Sequence, residues 1–208
     1  MRKDEAIETI DSIKKMMESS TRIMSLSGAS AIAVGIYALV AVTIGYLSAG
    51  GDFSNDNPFV SSLIVFSRHK LAVLILLAAL LIVVCIATVI AMSARKARAR
   101  GERLRFDRVS RRLLGSFFMP LTVGAALCII LYAGGHWGLT SSIMLIFYGL
   151  SLVGISHYTY SDSRYLGYAE IILGLIDAAA DGYAIIFWAI GFGVFHIIYG
   201  IYSAARHR

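Results

Sequence analysis

Four ionisable side chains sit in or at the end of long apolar stretches: His157, Glu170, Asp177 and His196. Ionisable groups in hydrocarbon are costly and have a task or a partner. Glu170 lies six residues past Arg164, about 9 Å along a helix at the usual rise. His196 lies ten residues before Arg206, about 15 Å by the same rise. His157 closes the preceding apolar stretch. If these stretches are consecutive membrane helices, His157, Glu170 and His196 share one half of the bilayer. A carboxylate with imidazoles can relay protons, since both titrate between about pH 5 and 8 once perturbed. Two histidines on facing helices could also hold a haem axially. Interhelical hydrogen bonding is the plainest use of the same groups. Metal-site spacing such as His-x3-His is missing, and no metal or cofactor is assigned. Asp177 is on the face of Glu170, seven residues on, near the other end of the stretch. There it reads as an interfacial carboxylate that water reaches.

The elements that must position these groups follow from composition. Of 208 residues, 58% are hydrophobic and 15% charged, and mean hydropathy is +0.73. Soluble domains run nearer ~45–50% and ~25%. This excludes a disordered chain, a disulfide scaffold and a typical soluble enzyme domain. An all-α, six-helix transmembrane bundle with an amphipathic N-terminal helix is expected. Its spans cover about 23–47, 71–93, 113–133, 139–157, 165–180 and 183–204, each near the ~20 apolar residues a crossing needs. The fifth is the weakest, being short and carrying Glu170 and Asp177.

Basic residues set the orientation. With six spans, seventeen of the nineteen Lys and Arg fall on one side and only Arg68 and Lys70 on the other. Both termini are therefore expected in the cytoplasm and the chain in a bacterial inner membrane. The stretch 94–112 is read as a cytoplasmic loop facing anionic lipid headgroups through Arg95, Arg98, Arg100, Arg103, Arg105, Arg108, Arg111 and Arg112. Nucleic acid is not expected as a partner, because Phe106 is the loop's one aromatic and no binding motif is present. Residues 1–22 read as a cytoplasmic amphipathic helix, with Ala6, Ile10, Ile13 and Met17 on one stripe. Asn57-Pro58 reads as the start of a short surface helix in the longest outer connection. No cleavable signal peptide is expected, since the first apolar run begins only near Ile23.

Small residues set the packing. Gly28 and Gly35, and Gly167 and Gly174, are seven apart and each pair lines one helix face. Ile146–Tyr158 and Ile186–Tyr199 both run Ile-Phe-aromatic-small towards a histidine, so a repeated hairpin is one reading and chance the other. Pro120 is expected to kink the third span. Cys85 and Cys128 read as small buried hydrophobes. No hydrolase elbow, P-loop, dinucleotide fingerprint or HExxH is present, so an enzyme is not expected.

SLSGASAIAVGIYALV near the start, RYLGYAEIILGL, and IIFWAIGFGVFHIIYGI near the end resemble an uncharacterised family of multi-pass inner-membrane proteins of Bacteroidetes-type bacteria. The glycine–aliphatic periodicity also resembles six-helix acid-resistance membrane proteins. The resemblance implies location and helix number, and no activity. The expected function is a membrane-embedded scaffold, sensor or accessory subunit, as a homo-oligomer or with a partner membrane protein. The alternative is a small proton-linked transporter or channel using the Glu/His cluster.

Overall fold

Long runs of Leu, Ile, Val and Ala close their backbone hydrogen bonds locally, as helices. The computed structural model describes residues 28–48, 68–99, 108–134, 139–158, 163–180 and 183–206. Among these residues the chain is all-helical, with six helices and no strand. They are α1 (Gly28–Ser48), α2 (Arg68–Ala99), α3 (Arg108–Ala133), α4 (Thr140–Ile155), α5 (Ser163–Ala179) and α6 (Ala184–Arg206). Two stretches, Ser110–Leu131 and Ala184–Arg206, are long and apolar enough to cross a membrane. The N-terminal amphipathic stripe and the helix expected at Asn57-Pro58 lie outside the described residues.

The helices overrun the apolar windows at the basic stretch. α2 continues to Ala99 and α3 begins at Arg108. Arg95 and Arg98 are therefore on α2, and Arg108, Arg111 and Arg112 on α3, rather than in a loop. The reason is that Ala, Lys and Arg are strong helix formers, so a helix does not stop where hydrophobicity does. Arg100, Arg103 and Arg105 lie outside the described residues.

Two antiparallel pairs organise the bundle, α1 with α6 and α4 with α5, and both close on small residues. A methyl group on Gly149 would stand 2.6 Å from Gly167 O, and one on Gly167 would stand 2.7 Å from Gly149 O. Seven residues along, Gly174 faces Ser142 O at 2.9 Å in the same sense. On the other pair, Gly200 faces Gly28 O at 2.6 Å and Gly35 faces Gly193 O at 2.7 Å. Each crossing thus uses a small residue every seventh position on both helices, which brings the backbones into contact. The glycines of α1 and α5 stand out in the sequence, whereas their partners are Gly193 and Gly200 in one pair and Ser142 and Gly149 in the other.

α3 packs on α4, and α1 on α2. α3 runs through Pro120 as one helix. The proline offers no N–H to the carbonyl of Ser116. That carbonyl lies against Gly154 on α4, 3.2 Å from where a methyl group would project. Leu113, Leu152, Ile155 and Leu166 form the apolar core where α3, α4 and α5 converge, flanked by Phe195 and Tyr199 of α6.

The distribution of polarity is inverted relative to a water-soluble domain. Buried side chains comprise eight apolar and ten polar residues among those described. Outside, Met119, Ile129 and Ile130 are each at least 66% exposed, and Ile82, Val83, Ile172 and Leu175 at least 58%. These exposed apolar side chains are spread over α2, α3 and α5.

Candidate functional site: a buried histidine and glutamate with a half-buried tyrosine

α6 is not one uniform helix. Ala184–Trp188 is α-helical, Ala189–Phe195 is wound as a π-helix, and His196–Arg206 is α-helical again. Such widened turns are rare and recur at functional sites. Two of the seven residues, Gly191 and Gly193, are buried glycines that let the backbone widen against its neighbours. Immediately after this turn the ring of His196 is brought into the interior, 1% exposed.

His196 Nδ1 lies 3.1 Å from Gly191 O. A carbonyl only accepts, so Nδ1 carries the hydrogen. In the neutral ring Nε2 is then an acceptor, and the Tyr148 hydroxyl of α4 donates to it at 2.7 Å. Tyr148 and His196 also stack, with ring centroids 5.4 Å apart, and Phe192 lies against both. From α5, Glu170 Oε1 approaches the same Nδ1 at 3.6 Å. Glu170 is fully buried, and neither of its oxygens has a hydrogen-bond partner among the described residues. A methyl group on Gly191 would stand 2.5 Å from both Glu170 Oε2 and Leu145 Cδ2. Gly191 is therefore glycine because the carboxyl of Glu170 occupies the space of a side chain.

The other residues singled out in the sequence fall elsewhere. His157 is exposed, in the turn after α4, while Glu170 and His196 are buried, so depth along the helices does not bring it to them. Asp177 is not water-washed: it is 4% exposed, and Ser142 of α4 donates to its Oδ2 at 3.0 Å. The small Ser142 and Gly174 let α4 lie close over this end of α5, which is what covers the carboxylate. Beside it, Ser141 donates to Ala184 O at 3.0 Å, tying α4 to the start of α6. The apparent likeness of Ile146–Tyr158 to Ile186–Tyr199 does not extend to their histidines, one exposed and one buried.

Tyr148 is the member that sequence reasoning missed. A tyrosine within an apolar run carries no mark of its own. Tyr148 is six residues from Ser142 on α4, which is not a same-face spacing, so no sequence signal picks it out. Among the described residues no group of three His, Cys, Asp or Glu side chains is placed to hold a metal ion. Comparison with family models, characterised proteins and solved structures finds no match to this chain.

Proposed function

We propose that this chain is a six-span inner-membrane protein with both ends cytoplasmic, in which Tyr148, His196 and Glu170 bind and pass protons in a small proton-linked transporter or channel. The observation that carries this reading is the carboxyl of Glu170, fully buried and without a hydrogen-bond partner among the described residues. A carboxyl serving as interhelical glue would be bonded, because that bond is its contribution. An ionised, unpaired carboxylate in the interior costs several kcal/mol, so the group requires either a charged partner or a proton. His196 Nδ1, 3.6 Å away, can supply either. The Tyr148 hydroxyl on the far side of the ring completes a line from Glu170 across the imidazole.

Membrane placement is supported by the exposed apolar surface and by the two stretches long enough to cross. Orientation rests on the asymmetry of Lys and Arg. Arg95, Arg98, Arg111 and Arg112 are exposed and available to anionic headgroups. Arg164 and Arg206 each lie over a neighbouring tyrosine ring, Tyr165 and Tyr202, in the manner of interfacial anchors. A scaffold or accessory subunit is the second reading, favoured by the dryness of the site, where Glu170 and His196 are 0% and 1% exposed.

The test is proton flux into proteoliposomes that carry an internal pH dye and a potassium diffusion potential. The proton-linked reading expects flux that Glu170→Gln abolishes while the helical signal persists. Wild-type vesicles no more permeable than empty ones would leave the scaffold reading standing.

A further inference from the structure

Three helices stack their polar and apolar residues in the same order. α4 presents Ser142, Leu145 and Tyr148. Antiparallel to it, α5 presents Asp177, Leu173 and Glu170. α6 presents the Ala184 carbonyl region, Gly191 and His196. The pairings are direct: Ser142 bonds Asp177, Ser141 bonds Ala184 O, and Tyr148 bonds His196, which Glu170 approaches. Between these polar layers, Leu145 Cδ2 and Leu173 Cδ2 lie 2.5 and 3.3 Å from where a methyl group on Gly191 would project. Leu145 is 0% and Leu173 8% exposed. The two carboxyl groups are seven residues apart on one helix face, about 10 Å along the axis.

From this layering we infer that Asp177 with Ser142 is an outer proton-binding station, and that Leu145 and Leu173, closed on Gly191, are an apolar barrier separating it from Glu170. The inference rests on the proton-linked reading above and takes its orientation. Two features point to it beyond the presence of acids. Glu170, wholly buried and unbonded, directs Oε2 into the barrier layer beside Gly191. Asp177 stands two residues from the last residue of α5, Ala179, close to that end of the bundle. Apolar constrictions of this kind gate by excluding water. When the leucines part, the Asp177 carboxyl releases its proton to water in the gap. A water passes a proton to the carboxylate of Glu170, and Asp177, left as carboxylate, reloads from the outer solution. At each of the two transfers one O–H bond breaks and one forms, and no electron changes hands. Gly191 is the position where a side chain would hold the leucines apart or displace the acid.

The experiment uses the full chain in the same proteoliposome assay. Leu145→Ser makes the barrier layer wettable, and Leu173→Ser does so from the facing helix, so that a folding defect in one leaves the other to be read. Each is expected to raise proton flux at least about tenfold, because a polar side chain admits water to a constriction that gates by dewetting. Adding Asp177→Asn or Glu170→Gln to either is expected to return flux towards that of empty vesicles. Folded serine variants with wild-type flux that Glu170→Gln still abolishes would overturn the barrier and leave the proton-linked reading intact. Raised flux indifferent to Asp177→Asn would overturn the outer station. Absence of Glu170-dependent flux in every variant would overturn the proton-linked reading and the inference with it.

Discussion

Gly149→Ala tests the close crossing of α4 and α5. The added methyl group would stand 2.6 Å from Gly167 O, 2.7 Å from Ile171 Cγ1 and 3.0 Å from Ile171 N. Two of those three atoms are backbone, so no rotamer change relieves them. Ordinary contact begins at 3.4 Å, so the helices must part by about 0.8 Å in an interior packed as densely as a crystal. Overpacking of this kind costs about 1–3 kcal/mol. The alanine returns about 1 kcal/mol of helix propensity, which leaves a net loss of roughly 0–2 kcal/mol. Gly115→Ala is the matched control, because a methyl group there meets nothing within 4 Å. Its propensity gain of up to about 1 kcal/mol is unopposed. The two variants should therefore differ by about 1–3 kcal/mol in reversible unfolding, titrated with SDS in mild-detergent micelles and followed by circular dichroism. Gly167→Ala makes the reciprocal contact, so one separation of the helices accommodates both methyl groups. The double variant should be more stable than the sum of the singles by about 0.5 kcal/mol or more. Gly149→Ala as stable as Gly115→Ala, or strict additivity with Gly167→Ala, would refute the crossing.

Three further outcomes are expected. Tyr148→Phe and His196→Gln should each cost about 1 kcal/mol in the same unfolding assay, as interhelical bonds in membranes do. Their double mutant should show a coupling above about 0.5 kcal/mol; additive losses would mean that the 2.7 Å contact does not act. His157→Gln should leave Glu170-dependent proton flux unchanged, because His157 is exposed and outside the buried set; loss of flux would return it to the pathway. With Cys85 and Cys128 replaced by alanine, a cysteine at Tyr183 should be labelled only from outside and one at Arg111 only from the cytoplasm. Opposite sidedness at either would overturn the orientation.

Six helices were legible because six apolar runs are separated by glycine-rich or charged stretches, and their ends were not. At the basic stretch, hydropathy stops near Ser93 while the helix continues to Ala99. Depth along the chain placed Glu170 and His196 at comparable heights, since rise per residue is fixed. Azimuth was not legible. The π-helical turn before His196 changes which face the ring presents, and no 3.6-residue pattern contains it. His157 lies past Ile155, the last residue of α4, in an exposed turn, so depth along that helix does not carry it to Glu170 and His196. Asp177 was expected in water because it is near a helix end; the small side chain of Ser142 and the absence of one at Gly174 bring α4 over it.

The position of α6 has a thermodynamic consequence. It packs on both helix pairs, pressing Gly193 and Gly200 against α1 while Gly191 and His196 face α4 and α5. His196 thus stands at the seam between two glycine-tightened pairs. Any movement of one pair against the other changes the distance between an imidazole on α6 and a carboxyl on α5. Linkage is reciprocal: if that movement alters how tightly the pair holds a proton, the proton must alter the balance of the movement by the same factor. A helix shared by two rigid units makes titration and mechanical displacement two readings of a single coupling free energy.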